Sequence, residues 1–305
     1  MQSIKYYLAD HPTILNFRWG PTQTWFSTWS FLIYTLTIYT TLSLFLHYTL
    51  SLLLPNRRRF RFPLGPIPSL HTLLICLTST IIFAGTLISA TAEIHDNSRW
   101  LWRRSHLRTT PVRWLLCFPP GTRPSGRVFF WSYAFYLSRL FLHLPRTFLK
   151  ILRRRPVTFF HVMNQSCMLL TSFLWLEFSQ SFQVLAILLL TFLYAVVYGY
   201  KFWVGVGLPR AKFPFVVNCQ VVLLACNLVC HAGVMLLHYL SVNRGGCNGI
   251  GAWGFNSACN GLILILFFKD YKNRIARSLM DDDYSSHYSR MDSREIFTIE
   301  KRRKD

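Results

Sequence analysis

Apolar residues gather into seven long runs, and short polar segments separate them. The runs cover residues 25–54, 67–91, 128–144, 157–176, 182–203, 215–240 and 250–268. A helix of about 20 residues is long enough to cross a hydrocarbon layer about 30 Å thick. Because lipid offers the backbone no hydrogen bonds, a long apolar run that enters it is expected to be helical. The pattern therefore predicts an all-α membrane protein with seven transmembrane helices.

Length and composition favour one polytopic domain. The chain has 305 residues, of which 52% are hydrophobic, and its mean hydropathy is +0.29. We predict a lumenal segment over residues 1–24, the membrane domain over 25–280 and a cytosolic tail over 281–305. The tail is polar and carries few large apolar residues, so we expect it to be disordered. The first apolar run begins too late and is too long for a cleaved signal peptide.

The net charge is +21, and the positions of the basic residues along the chain are more informative than their number. Basic residues cluster in the short loops after the first, third, fifth and seventh runs, beside the membrane surface. Such clusters indicate topology and contact with lipid head groups rather than nucleic-acid binding. The positive-inside rule then places the amino terminus in the lumen and the carboxyl terminus in the cytosol. The loop over 92–127 has seven arginines on the predicted lumenal side, an exception that longer loops tolerate.

Polar residues inside the runs are histidines, tyrosines, amides and thiols. All twelve acidic residues lie outside the middle of the runs, which excludes a membrane-embedded Ser-His-Asp triad or carboxylate proton relay. The eight cysteines form no CxxC pair, so no metal site is expected. His161, Asn164 and Gln165 share one helical face because they are three and four residues apart. They either join neighbouring helices by hydrogen bonds or line a pocket.

The segment leading to these residues resembles a motif of the ELO family of fatty-acid elongases, most closely its plant ELO-like branch. The family pattern has Ser-Lys, an acidic pair, Arg-Lys-Lys, Val-Thr-Phe-Leu-His and a His-x-x-His-His box. The matching residues are Ser138, Arg139, Arg153, Arg154, Arg155, Val157, Thr158, Phe159 and His161. The acidic pair is absent, and Asn164 and Gln165 stand at the second and third histidine positions of the box.

Two later segments extend the resemblance, which covers roughly residues 132–268. The family has a Tyr-x-Tyr-Tyr motif with a histidine four residues before it. Tyr198 and Tyr200 match two of those tyrosines, and Tyr194 stands at the histidine position. Asn218 and Gln220 are similar to the Gln-x-Gln element of the family. The resemblance implies that spans 2–7 form a helical barrel around a substrate tunnel.

The resemblance also implies an activity: condensation of a long acyl-CoA with malonyl-CoA, giving a 3-oxoacyl-CoA that is two carbons longer, with release of CoA and CO₂. In the family a box histidine at the position of Asn164 carries the acyl group. An amide is far less nucleophilic than an imidazole, so His161 is the box residue expected to matter for chemistry. The phenol of Tyr194 can donate a hydrogen bond to a developing enolate oxygen.

The candidate site residues fall into two groups. The catalytic candidates are His161, Asn164, Gln165, Tyr194 and Tyr198. The substrate-binding candidates are Arg139, Arg153, Arg154, Arg155, Tyr200, Lys201, Asn218 and Gln220. Arginine makes paired hydrogen bonds to phosphate, so the run of three arginines is expected either to hold CoA phosphates or to serve topology alone.

The expected partners are acyl-CoA and malonyl-CoA as substrates, membrane lipid, other enzymes of the elongation cycle and a second copy of the chain. No permanently bound cofactor, metal or nucleic acid is expected. The basic carboxyl-terminal end resembles a retrieval signal of the endoplasmic reticulum, which is the predicted location.

Because two box histidines are replaced, an acyl-CoA-binding scaffold without catalysis is a second interpretation. A seven-helix transporter or receptor is a third.

Cys117 and Cys247 differ from the other cysteines because both fall in loops predicted to be lumenal. Disulfides persist in that compartment. The family also has a cysteine where Cys247 stands. A disulfide between the two would join the loop after the second span to the segment before the seventh.

Overall fold

The computed structural model describes residues 2–53, 64–104, 111–153, 157, 159–208, 214–240 and 246–265. We number its helices α1 to α11 in chain order. They are α1 Gln2–Lys5, α2 Pro12–Leu15, α3 Trp29–Leu53, α4 Ile67–Arg104, α5 Pro111–Leu116, α6 Arg127–Ser138, α7 Leu144–Leu152, α8 Phe159–Glu177, α9 Gln183–Gly205, α10 Pro214–Leu240 and α11 Ile250–Ile265. Within these ranges the strand-type pairing is one isolated bridge between Arg18 and Ser125. The all-α prediction is therefore confirmed for this part of the chain.

Three of the described helices are long and apolar enough to cross a membrane. Their apolar segments are Trp29–Leu50, Ile67–Asp96 and Gln183–Gly205. Two shorter apolar segments, Ala225–Leu240 and Ile250–Ile265, lie near the predicted sixth and seventh spans. The number of seven spans stays a prediction.

The third apolar run forms a helical segment that is longer than predicted and has a π-helical turn in its middle. The helix α6 continues through the π turn Arg139–His143 into α7. The predicted span ends at Leu144, one residue before Pro145. Proline is tolerated in the first turn of a helix, where its missing N–H removes no intrahelical hydrogen bond. Pro145 lies at that place in α7, so the chain remains helical through Leu152.

The helix α4 packs along α9 and against α6. One close approach depends on Gly85, because a Cβ at this position would overlap the ring of Trp131 on α6. The Trp131 indole N–H in turn donates to the carbonyl oxygen of Leu8 at 2.9 Å. The packing of α4 on α6 therefore also fixes the amino-terminal segment.

The segment before α3 contributes to the core despite its polar composition. Phe17 and Trp19 are buried and pack in the larger apolar cluster with residues of α3, α6 and α8. The indole N–H groups of Trp19 and Trp29 donate to the two carboxylate oxygens of Glu177 at 2.9 and 3.2 Å. One carboxylate at the end of α8 thus holds both the amino-terminal segment and the start of α3.

A disulfide joins Cys117 and Cys247, whose Cα atoms are 5.1 Å apart. Hydrogen bonds of Asn248 reinforce this link: its backbone N–H donates to the Phe118 carbonyl at 2.9 Å. Its side-chain amide donates to the carbonyl of Ser179 at 3.1 Å. These contacts join the segment after α5, the turn between α8 and α9, and the segment before α11. We call this group of contacts the disulfide cap.

The chain divides into two compact units, Met1–Ser257 and Ala258–Asp305. The first contains the helices α1 to α10, the start of α11 and the disulfide cap. The described part of the second is the end of α11.

Candidate functional site

The candidate site is built on the helical segment that runs from α6 through the π turn into α7. Arg139, His143, Thr147 and Lys150 follow one another at intervals of three or four residues, so they lie along one side of a helix. Arg139 and His143 are the first and last residues of the π turn, and both are buried. π-helical turns inside helices occur frequently at functional sites. This turn brings a cation and an imidazole into the interior together.

Arg139 connects three helical segments through its guanidinium group. It is 2% exposed, and one terminal nitrogen donates to the hydroxyl of Tyr194 on α9 at 3.0 Å. The other donates to the side-chain oxygen of Gln165 on α8, also at 3.0 Å. A buried charge is costly unless hydrogen bonds compensate it. The phenol and the amide supply part of that compensation, so the three residues form one polar network.

Tyr198 lies one helical turn after Tyr194 and is surrounded by cations. Arg146 of α7 donates a hydrogen bond to the Tyr198 hydroxyl, and its guanidinium carbon is 4.2 Å from the ring centroid. The ammonium of Lys201 is 5.1 Å from the same centroid. Cations over an aromatic face are attracted by the negative charge of that face. Arg146 and Lys201 therefore lie around Tyr198, one helical turn from the tyrosine that is hydrogen-bonded to Arg139.

His161 lies close to residues of α7. The Lys150 ammonium is 3.1 Å from His161 Nε2, and the Thr147 hydroxyl is 3.4 Å from the same nitrogen. Thr147 is completely buried and is hydrogen-bonded to the Tyr39 hydroxyl of α3 at 2.8 Å. Because an ammonium can only donate, the His161 nitrogen that accepts from Lys150 is unprotonated. His161 therefore offers Lys150 a neutral acceptor.

His143 packs against two tyrosines of α9. Its ring centroid is 4.9 Å from that of Tyr194 and 5.8 Å from that of Tyr198. Its Nδ1 is 3.1 Å from the carbonyl oxygen of Ser138. Its Nε2 is buried and has no hydrogen-bond partner among the described residues. The two imidazoles of the site thus have different environments.

Four of the five catalytic candidates contact cationic side chains of the site, and the fifth, Asn164, lies next to them on α8. His161, Gln165, Tyr194 and Tyr198 all contact the cationic side chains of the site. Asn164 is half-buried on α8, in the turn between His161 and Gln165.

Among the substrate-binding candidates, Arg139 and Lys201 are part of the site, and Tyr200 is half-buried on α9. Arg153 ends α7, where its backbone N–H donates to the Leu149 carbonyl at 3.1 Å. Arg154 and Arg155 lie outside the described residues. Asn218 and Gln220 lie on α10, but their side chains are also outside the described set.

Several residues of the site were not candidates in the sequence. They are Tyr39, His143, Arg146, Thr147 and Lys150. Four of them follow Arg139 at helical spacing, and this periodicity was the available signal. The apolar run ends at Leu144, and three of the four residues lie beyond that point, so hydropathy did not group them. Tyr39 belongs to a distant helix, and no local pattern connects it with Thr147.

The arrangement offers cations, hydroxyl groups and neutral imidazoles around one point. Arg139 and Tyr194 are preorganised donors that can stabilise a developing oxyanion. Arg146, Lys150 and Lys201 attract anionic ligands. No group of three metal-ligating side chains comes together in the part of the chain that the structure describes. The site suits a reaction of an anionic substrate whose carbonyl oxygen gains negative charge.

The relatives found by comparison with known proteins are all named as fatty acid elongases. The chain is 57% identical over 272 residues to the Fatty acid elongase 3-like protein of Arabidopsis thaliana, covering 89% of this chain and 91% of that protein. It is 24% identical over 273 residues to Fatty acid elongase A of Dictyostelium discoideum, covering 86% and 90%. A putative fatty acid elongase of the same organism is 22% identical over 268 residues, covering 86% and 82%. No solved structure gives a significant match.

The family comparison covers the membrane helices and the site together. Residues 24–280 match the family described as ELO: GNS1/SUR4 family. This range contains the π turn, the four residues of the Arg139 and Tyr198 networks on α8 and α9, and both cysteines of the disulfide. The chain therefore belongs to the ELO family.

Proposed function

We propose that this protein is a very-long-chain fatty-acid elongase of the 3-oxoacyl-CoA synthase type. It condenses an acyl-CoA with malonyl-CoA and releases CoA and CO₂. The observation that carries the proposal is the buried network of Arg139, Gln165 and Tyr194, which lies beside His161 within a chain of the ELO family. The 57% identity to a protein named Fatty acid elongase 3-like supports the same function.

The chemistry of the condensation fits the groups in the site. Loss of CO₂ from malonyl-CoA leaves an enolate, and its oxygen carries the developing negative charge. Arg139 donates to the Tyr194 hydroxyl, which leaves the hydroxyl proton of Tyr194 able to donate to that oxygen, and fixed donors in a water-poor site stabilise such charge strongly. The CoA portion carries several phosphate charges. Arg146, Lys150 and Lys201 provide positive charge near the reaction site, and Arg153 with the two following arginines extends it beyond α7.

The proposed function requires a membrane architecture that the described helices support in part. We propose seven spans, of which spans 2–7 surround the substrate tunnel, in the membrane of the endoplasmic reticulum. The amino terminus is lumenal and the carboxyl terminus cytosolic. The CoA thioesters are substrates rather than resident cofactors. The other enzymes of the elongation cycle and a second copy of the chain are the proposed protein partners.

The function is tested by turnover of the purified protein in phospholipid nanodiscs. Acyl-CoA and radiolabelled malonyl-CoA should give a labelled 3-oxoacyl product that is two carbons longer. His161→Gln should lower activity, because glutamine can still accept a hydrogen bond from Lys150 but cannot take up its proton as the ring nitrogen can. His47→Gln on α3 is the matched control and should keep activity. Full elongation by His161→Gln would end the role proposed for His161, and no product from any acyl-CoA would reject the elongase.

One observation supports a second candidate function, a scaffold that binds acyl-CoA without condensing it. The amide of Gln165 stands at a box histidine position and is already engaged by Arg139. The same preparation distinguishes the two functions. Tight binding of an acyl-CoA, with neither CO₂ nor 3-oxoacyl product formed from malonyl-CoA, would favour the scaffold.

A further inference from the structure

We propose that His143, which lies outside the sequence motifs, is the covalent acyl carrier of this protein. The inference rests on the proposed elongase function and names the nucleophile of the same site. Asn164, Gln165 and Tyr194 stand at three positions where the resemblance implies histidines. The π turn places the imidazole of His143 against the ring of Tyr194, with ring centroids 4.9 Å apart. An imidazole therefore lies beside one of the three positions at which this chain lacks a histidine of the family pattern.

Hydrogen bonding determines which nitrogen of His143 holds the lone pair. Nδ1 is within hydrogen-bond distance of the Ser138 carbonyl oxygen, at 3.1 Å, and a carbonyl can only accept. Nδ1 therefore carries the proton in this contact, and Nε2 is the unprotonated nitrogen of the neutral ring. Nε2 is buried and has no partner among the described residues. The hydrogen bond at Nδ1 fixes the orientation of the ring, and the lone pair of Nε2 accepts no hydrogen bond from the described residues. This is the arrangement expected of an oriented nucleophile.

His161 is less suited to the same task. Its Nε2 is 3.1 Å from the Lys150 ammonium, and an ammonium has no acceptor to offer. The contact therefore uses the lone pair of His161 to accept a proton donor. A lone pair so engaged is less available to attack a carbonyl carbon. His161 and Lys150 together form a proton-donating pair, whereas His143 retains an available lone pair.

The covalent step is a transfer from sulfur to nitrogen. His143 Nε2 attacks the carbonyl carbon of the acyl-CoA, and the carbon–sulfur bond breaks. CoA leaves as a thiolate, which takes up a proton from Lys150 or from water. The ring gives its Nδ1 proton to water or to the Lys150 amine that has protonated the thiolate, so the products are a neutral acyl-imidazole and CoA as a thiol. Malonyl-CoA then loses CO₂, and the resulting carbanion attacks the acyl carbon. The carbon–nitrogen bond breaks, and the ring takes up a proton at Nδ1 from Lys150 or from water, which is the one proton that the overall condensation consumes.

The surroundings of His143 suit this intermediate. The residue is 2% exposed, and an acyl-imidazole hydrolyses if water reaches it, so exclusion of water protects the intermediate. The Arg139 guanidinium, four residues before His143, donates to the Tyr194 hydroxyl. The pair can stabilise the oxyanion that forms when Nε2 adds to the thioester. Binding of the acyl-CoA must displace the tyrosine rings enough to bring its carbonyl to Nε2.

The test is a single turnover without malonyl-CoA. Purified protein in nanodiscs is mixed with excess acyl-CoA, and released CoA is measured by mass spectrometry together with the mass of the intact protein. We expect about one CoA per active protein in a burst, with one acyl group added to the protein. After rapid digestion, the acyl group should lie on the peptide that contains His143.

The sharpest variant is His143→Asn. The Asn side-chain amide can replace Nδ1–H as donor to the Ser138 carbonyl, but it has no counterpart of Nε2. We expect loss of the burst and of the adduct, and a fall in elongation of more than about 100-fold. His161→Gln should lower elongation but keep the adduct, and His47→Gln should change neither. An unchanged thermal transition of His143→Asn will show that its fold is retained. If it does not fold, the location of the adduct in the wild-type protein decides.

The outcomes separate this inference from the proposed function. An adduct on His161 or on a cysteine, or elongation without any adduct, overturns the assignment to His143 and leaves the elongase function intact. An adduct on His143 with no elongation after addition of malonyl-CoA supports the carrier but rejects the elongase. Absence of both burst and elongation rejects both.

Discussion

Removal of the disulfide should destabilise the protein chiefly through its unfolded state. The change is the double substitution Cys117→Ser with Cys247→Ser. In the folded protein, the hydrogen bonds of the disulfide cap do not depend on the sulfur atoms. Asn248 still donates to the Phe118 carbonyl, and the Ser181 hydroxyl still donates to the Asn248 carbonyl at 2.8 Å. The cap should therefore persist in the native state, while the unfolded chain becomes freer.

The magnitude follows from the length of chain that the disulfide closes. The two cysteines are separated by 130 residues, and closing a loop of that length lowers the entropy of the unfolded chain by an amount worth about 5 kcal/mol at 25 °C. In a large domain, 1 kcal/mol corresponds to about 2 °C in the melting temperature. The loss should therefore approach about 10 °C. Residual structure in the unfolded membrane protein would reduce this value.

The assay is thermal unfolding in a mild detergent, followed by tryptophan fluorescence, with and without a reductant. The wild-type protein should melt lower after reduction, and the double variant should melt at the lower temperature under both conditions. Cys226→Ser is the matched control, because Cys226 is an exposed free cysteine. A double variant that melts within about 2 °C of the wild type and of Cys226→Ser would refute the reasoning, since the loop would then be constrained in the unfolded chain by other means.

Two further changes test the packing and the charge of the site. Gly85→Ala should destabilise the protein by about 1–3 kcal/mol because the new Cβ overlaps the Trp131 ring; Gly254→Ala, which has open space, should not, and equal melting temperatures for the two variants would contradict the close packing. Replacement of Arg153 and the two following arginines by glutamine should raise the KM for acyl-CoA several-fold while kcat and membrane insertion stay near normal. Unchanged kinetics would show that these three residues serve topology alone.

Hydropathy predicted the helices better than it predicted their ends. The helices α3, α8, α9 and α10 begin and end within a few residues of the apolar runs, because burial of apolar side chains determines both. The helix α4 instead continues from the predicted end at residue 91 to Arg104, through a mixed polar and apolar segment that the hydropathy pattern does not mark. In the segment before α3, hydropathy instead failed to predict which residues are buried. Phe17 and Trp19 are buried although their surroundings in sequence are polar.

The site could be predicted from the sequence only where its residues share a local pattern. His161 and Gln165 lie one turn apart on α8, and Tyr194 and Tyr198 one turn apart on α9, so helical spacing was sufficient to group each pair. That Arg139 would join Gln165 to Tyr194 depends on how three helices pack, which spacing does not encode. The π turn depends on backbone hydrogen bonding at Arg139–His143, and no residue type specifies such a turn reliably.

The order of groups along the segment from α6 to α7 corresponds to the order of groups in a CoA thioester. Arg153 ends the segment, Lys150 follows one turn deeper, and His143 and Arg139 lie deeper still. A helix rises about 1.5 Å per residue, so Arg139 and Arg153 are about 20 Å apart along the axis. In an acyl-CoA, a long neutral arm separates the phosphates from the thioester. We expect one helical segment to bind both ends, with cations at the phosphates and Arg139 with His143 at the thioester. Pro145 lies between the cations that face the phosphates and the residues that face the thioester. Because the helix nevertheless continues through the π turn into α7, both groups stay on one helical segment.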